Sequence, residues 1–173
     1  MKLKKNVVLT GMMGVGKSTI GRSLALKLSY DFVDIDKIIE KIEGSSISSI
    51  FKKKSENYFR SLEHKITLKE LEKNNIVISL GGGAFLNNEI RDKVKKKAVS
   101  FWLDVDSNIL FKRLSKTKKR PLLIKKNLRE AINKIYLERK KTYSKADFKI
   151  KCNFLKPEII ASKILELYEN SRN

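Results

Sequence analysis

A single cysteine, a single histidine and two prolines stand among 173 residues, and basic side chains outnumber acidic ones by 39 to 19. Each scarcity excludes something. With Cys152 alone no internal disulfide can form, which fits a reducing compartment and a cytoplasmic location. His64 alone has no companion for a metal and reads as a surface or helix-packing residue. Apolar runs are a few residues long, far short of the roughly 20 a membrane span needs. No secretory leader is expected ahead of the first strand-like run. No repeat or low-complexity linker breaks the chain, so residues 1–173 are expected to form one domain. The shortage of acid leaves a formal charge of +20. The lysines are spread along the whole chain and arginine is the minority cation. Aromatic residues do not alternate with them as a base-stacking platform would require. The charge therefore reads as compositional bias rather than a nucleic-acid footprint, although it favours anionic substrates. A monomer is expected.

What is present begins with Gly11-Met12-Met13-Gly14-Val15-Gly16-Lys17-Ser18, which satisfies G-x-x-x-x-G-K-[ST] at every required position. Asn6 to Thr10 before it read as a buried strand. Ile20, Leu24, Ala25 and Leu28 after it recur at helical spacing. Strand, glycine loop and helix make this pattern a phosphate cradle. The glycines free the backbone to turn N–H groups toward an anion at the positive end of the helix. Lys17 has the reach for β- and γ-phosphates, and the Ser18 hydroxyl suits Mg²⁺.

Strand-like runs at residues 6–10, 31–35, 75–80, 98–103 and 147–151 alternate with helical patterns. That predicts an α/β fold with a mainly parallel sheet and helices on both faces. Ligands of such sheets sit beyond the carboxyl ends of the strands. The second strand ends Asp34-Ile35-Asp36; if extended, it places both carboxylates on one side, roughly 7 Å apart. One suits a Mg²⁺ water shell and the other a substrate hydroxyl. Asp36 also reads as the cap of a helix starting at Lys37. A helix to about Asn74 buries Phe59, Leu62 and Ile66, and its spacing pairs Arg60 with Glu56 or Glu63. The third strand runs into Gly81-Gly82-Gly83, a costly triplet explained by close approach of a ligand. Trp102 reads as core. The charged run Ser115 to Leu123 reads as a mobile loop. In the helix from Leu128, Arg139 continues the inward stripe of Ile132 and Ile135, where a guanidinium calls for an anion.

Taken in order, these residues resemble the shikimate kinase family over the whole chain. The resemblance rests on the P-loop followed by Gly21-Arg22, on Phe32-Val33-Asp34-x-Asp36, Glu40, Gly44 and Ile50-Phe51. It continues with Glu56-x-x-Phe59-Arg60-x-x-Glu63, the triple glycine, Arg120-Pro121-Leu122-Leu123, Arg139 and Tyr143. It implies a three-layer P-loop NTPase fold of the nucleoside-monophosphate-kinase-like group. The five-stranded parallel sheet would have the order 2-3-1-4-5, with substrate-binding helices at about 36–62 and a lid at about 115–126. It implies transfer of the ATP γ-phosphoryl to the 3-hydroxyl of shikimate, with Mg²⁺ as cofactor.

Carried over by position, Gly14, Val15, Gly16, Lys17, Ser18 and Thr19 would hold the phosphates, and Ser18 with Asp34 would serve the metal. Asp36 would bind and orient, or deprotonate, the attacking hydroxyl. Arg60 and Arg139 would grip the substrate carboxylate, with Gly81, Gly82 and Gly83 along the substrate and Phe51 and Phe59 as walls. Arg120 would be the catalytic lid arginine, Arg113 would lie against adenine, and Pro157 would sit near the base. Two positions depart from the family pattern: Ser55 stands where glycine is common, and Lys141 where proline is common. The nearest alternative is another small-molecule kinase of this fold, such as a gluconate or nucleotide kinase; the paired arginines argue against a nucleotide acceptor. An alternative of another class is a basic P-loop nucleic-acid-binding or regulatory protein, which predicts salt-sensitive oligonucleotide binding.

Overall fold

The structure, a computed structural model, describes residues 6–115 and 127–171. Among these, five strands form one parallel sheet in the order β2-β3-β1-β4-β5. The strands are β1 (Asn6–Thr10), β2 (Asp31–Asp34), β3 (Ile76–Ser79), β4 (Ala98–Asp104) and β5 (Phe148–Lys151). Eight helices accompany them: α1 (Lys17–Leu28), α2 (Ile35–Glu43), α3 (Ile47–Lys53), α4 (Glu56–Glu70), α5 (Asn88–Lys97), α6 (Ser107–Leu114), α7 (Leu128–Tyr143) and α8 (Pro157–Asn170). The near-continuous apolar character of β1, β3 and β4 has its cause here. Every residue of these three strands is buried, as expected of parallel strands covered on both faces.

β1 lies at the centre, its Val7 beside Val77 of β3 and Val99 of β4. It delivers the glycine loop to the middle of the carboxyl edge, where the strand order reverses. α1 then returns along the sheet; at Gly21 an added Cβ would fall 2.5 Å from the Phe32 ring, so only glycine lets helix and strand approach this closely. At the opposite edge, Phe148 of β5 stacks on Phe101, while Lys149 and Lys151 face outward. The Lys149 ammonium lies 4.3 Å from the Trp102 ring centroid and 2.9 Å from Asp104. Trp102 is buried, as read from the sequence, and Cys152 is buried too. Burial pushes the Cys152 thiol up to about 12, which marks it as packing rather than nucleophilic.

Several boundaries differ from the sequence reading, two of them at helix ends. The strand containing Asp34 ends there, and α2 begins at Ile35. Asp36 is therefore not the cap. Asp34 is the N-cap, its carboxylate accepting the Lys37 N–H at 3.3 Å, while Asp36 sits in the first helical turn. α4 ends at Glu70, four residues before Asn74. At the departures noted above, α7 runs unbroken through Lys141, and Ser55 caps α4 in a positive-φ conformation, φ 101°.

Candidate active site

The loop after β1 is built by glycines at φ +136° (Gly11), +79° (Gly14) and +99° (Gly16). At Gly11 a side chain is doubly forbidden, because a Cβ would lie 2.5 Å from the Leu103 carbonyl oxygen. The turn leaves α1 starting at Lys17 with its first N–H groups open toward the loop, an anion-binding arrangement. The Lys17 ammonium donates to the carbonyls of Gly11 (2.8 Å) and Met12 (2.9 Å), folded over the loop it would share with a phosphate chain. Ser18 donates its hydroxyl to the Asp34 carboxylate in a short contact.

In front of this loop opens a cavity of about 370 Å³. Gly14, Gly16, Lys17, Ser18 and Thr19 form its phosphate side, and Asp34 and Asp36 line it too, Asp34 beside Ser18. Phe51 and Phe59, with ring centroids 4.9 Å apart, make an aromatic wall. Arg60, Arg139, Gly82 and Gly83 complete it. Four residues singled out from the sequence lie outside this lining. Arg113 reaches the outer side of the loop, donating to the carbonyls of Gly14 and Val15 at 3.4 Å each. Pro157 occupies the first turn of α8. Val15 is buried behind the loop, and Gly81 lies beneath the cavity, against acidic side chains. Arg120 falls outside the described residues, as does most of the charged run around it.

The triple glycine is explained by space, not by backbone conformation, since positive φ among glycines falls only at Gly11, Gly14, Gly16 and Gly44 within the described residues. A Cβ at Gly81 would collide with the Glu63 carboxylate and lie 2.7 Å from Asp36 Oδ1. A Cβ at Gly83 would lie 2.5–2.8 Å from the whole Arg60 guanidinium. At Gly82 it would come 3.4 Å from Met13 N and 3.5 Å from Arg139 Nη1. Bare backbone at these positions lets two acids and two arginines converge on one small volume.

Arg60 satisfies both readings of its sequence. It pairs with Glu63 at 2.7 Å and Glu56 at 3.2 Å along the helix, and it also lines the cavity. Arg139 is 8% exposed and donates Nη1 to the Gly82 carbonyl at 2.8 Å, which leaves the rest of its fork for another acceptor. Glu63 is the residue that the sequence reading named only as a partner of Arg60, without a place in the cavity. It is 2% exposed; one oxygen holds Arg60, and the other has no hydrogen-bond partner among the described residues. Burial, followed by the nearby Asp36 charge, pushes its carboxyl above the usual carboxylate range, against the pull of Arg60. Its signal was available: Phe59, Glu63 and Ile66 are spaced along one buried stripe, and a carboxylate on such a stripe needs a partner. His64 lies 2.9 Å from Glu89, consistent with a packing role.

For a divalent cation the donors are the Ser18 hydroxyl and the Asp34 carboxylate, already adjacent and both hard oxygens. Among the described residues no group of three or more His, Cys, Asp or Glu side chains is placed to cage a metal. That donor set fits Mg²⁺, which is commonly held by one or two protein oxygens together with water and substrate phosphates. No helix among the described residues is long and apolar enough to cross a membrane.

Comparison with known proteins points to one family. A sequence model described as shikimate kinase matches residues 13–169. The shikimate kinase of Thermodesulfovibrio yellowstonii is 43% identical over 169 residues, covering 98% of both chains. The solved structure of shikimate kinase from Acinetobacter baumannii in complex with shikimate superposes with a TM-score of 0.94 at 31% identity, covering 97% of this chain and 94% of that one. A gluconokinase from Sinorhizobium meliloti reaches a TM-score of only 0.60 at 15% identity and shares the fold alone. A family model over residues 13–169 and a relative 43% identical over 98% of the chain, on a fold that carries this phosphate loop, place the protein in the shikimate kinase family.

Proposed function

We propose that the chain transfers the γ-phosphoryl group of ATP to the 3-hydroxyl of shikimate, and that the residues around the cavity divide the work as follows. The loop Gly14 to Thr19 binds the phosphates through backbone N–H groups, and the Lys17 ammonium offsets charge on the β- and γ-phosphates. Arg113 and Pro157 flank the base. Ser18 and Asp34 hold Mg²⁺, which when bound neutralises phosphate charge. Arg60 and Arg139 clamp the substrate carboxylate, with Gly81, Gly82 and Gly83 allowing the ring to lie against backbone and Phe51 and Phe59 closing the apolar side. Asp36 accepts a hydrogen bond from the attacking hydroxyl, orients it in line with the γ-phosphorus and takes its proton as the new P–O bond forms. Arg120 stabilises the transferring group. Catalysis of this kind is positioning plus electrostatics. Helices α2 to α4 serve as the acceptor-binding part, and the protein works as a monomer.

The observation that carries the reading is the convergence of Arg60 and Arg139 on Gly82 and Gly83, across the cavity from Lys17 and beside Asp36. Two guanidiniums at one wall suit a carboxylate on the acceptor, and one acid between them and the phosphate loop suits a hydroxyl. The test is ADP release from MgATP with shikimate, quinate, gluconate or AMP, at two salt concentrations. Release with shikimate alone is expected. Release only with gluconate or AMP would leave the phosphate chemistry standing and overturn the roles of Arg60 and Arg139.

A further inference from the structure

We propose that Tyr143 is a positioning residue that sets the distance between phosphoryl donor and acceptor, by joining the phosphate loop to the loop after β3; this rests on the reading above. Tyr143 is fully buried at the end of α7 and does not line the cavity itself. Its hydroxyl donates to the Gly82 carbonyl, the same oxygen that receives Arg139 Nη1. The same hydroxyl lies 4.0 Å from the Met12 sulfur, inside the phosphate loop. Its ring stands 6.1 Å from that of Trp102, and a Cβ added at Gly11 would lie 3.5 Å from the Trp102 ring.

Gly82 meets the phosphate loop from its other side, 3.4 Å from Met13 N and 3.9 Å from Gly11 O as measured to an added Cβ. The two loops are thus in contact at Gly82, and Tyr143 fastens both from behind. Burial raises the phenol above its ordinary range, so the proton that makes the bond to Gly82 stays on it at working pH. The nucleotide hangs from one of these loops, and the other lines the acceptor side and anchors Arg139 through the Gly82 carbonyl. A shift between them changes the in-line distance without removing any ligand contact, and a misplacement of about 1 Å can cost on the order of a hundredfold in rate. Arg60 and Arg139 act on binding; Tyr143 acts on approach.

The test is Tyr143→Phe, which removes one oxygen and keeps the ring. We expect kcat to fall ten- to a hundredfold, with KM for shikimate and for ATP each within about threefold of wild type. Trp102 is the sole tryptophan, so its emission reports the loop without any acceptor present and is expected to shift in this variant. Tyr168→Phe is the control: it is equally buried, and its hydroxyl lies 3.2 Å from that of Tyr30 between α1 and α8. It should leave kcat and emission unchanged. Met12→Leu, close in volume, loosens the joint from the loop side and should lower kcat with the same KM pattern; it decides the matter if Tyr143→Phe does not fold. Unchanged kcat in Tyr143→Phe, equal losses in Tyr143→Phe and Tyr168→Phe, or a raised shikimate KM at unchanged kcat would each overturn the proposal. A wild-type chain that releases no ADP with shikimate would instead overturn the reading it rests on.

Discussion

Replacing Gly83 with alanine should separate folding from function in opposite directions. The backbone at Gly83 sits at φ −106°, ψ −14°, a conformation alanine adopts without strain. On that ground alone Gly→Ala stabilises by about 0.4–1 kcal/mol through the unfolded chain. The new methyl, however, would stand 2.5, 2.7 and 2.8 Å from Nη1, Cζ and Nη2 of Arg60. Ordinary contact begins near 3.5 Å, so the guanidinium must retreat by roughly 1 Å. It cannot do so freely, being held by Glu63 at 2.7 Å and Glu56 at 3.2 Å. The side chain yields and the fold does not. We therefore expect Tm to stay within about 4 °C of wild type, the shift 1 kcal/mol gives in a domain of this size. The value of kcat/KM for shikimate should fall by roughly ten- to a hundredfold, mostly through KM, with KM for ATP unchanged. Thermal melts and initial rates measure both. In an Arg60→Ala background the Gly83→Ala change should add nothing further, since contacting residues do not act additively. An intact kcat/KM in the single variant, or an undiminished effect in the Arg60→Ala background, would refute the view that glycine at 83 exists to admit Arg60.

Other outcomes follow from the same geometry. Glu63 has a raised folded-state pKa, so folding takes up a proton in a window opening near the ordinary value of 4.5 and closing at the folded value. Stability should fall as pH rises through that window, and Glu63→Gln should flatten the fall in denaturant melts. The same variant should also raise shikimate KM at neutral pH by freeing Arg60. Arg139→Ala should weaken shikimate binding by about 1–3 kcal/mol, the cost of an unpaired buried partner, with nucleotide affinity intact by calorimetry. Ser55 sits at φ 101°, ψ 161°, where a side chain costs about 1–3 kcal/mol. Its hydroxyl oxygen accepts the Tyr58 N–H at 3.3 Å, and Ser→Gly at a cap loses only a few tenths of a kcal/mol. Ser55→Gly should therefore raise stability by about 1 kcal/mol; a lower denaturation midpoint would argue against strain at this position.

The phosphate loop and the alternation of strands with helices were legible because they depend on local rules: glycine spacing, apolar runs and helical periodicity; the strand order came only with the family resemblance. The acid pair was found by an argument whose geometry did not hold. Asp34 and Asp36 share the cavity because a helix starts between them, not because a strand stays extended. The triple glycine was rightly taken as close approach, but what approaches first is the protein's own Glu63, Asp36 and Arg60. Glu63 and Tyr143 stood within the family motifs, yet spacing gave Glu63 only its pairing with Arg60 and gave Tyr143 no role. One is defined by a buried charge network across α4 and the β3 loop, the other by contact with two loops about 60 and 130 residues away in sequence. Such long-range pairings leave no local periodicity to read.

The outward lysines of β5 have a consequence for how molecules of this protein meet one another. β5 is an edge of the sheet, with an open row of backbone groups able to pair with a strand from another copy. Lys149 and Lys151 are the residues it shows to solvent, and neither can be buried beside its own image without bringing like charges together. Seen this way, part of the +20 charge works against aggregation: it disfavours growth sheet to sheet at β5, one of the two edges, β2 and β5, that the strand order leaves.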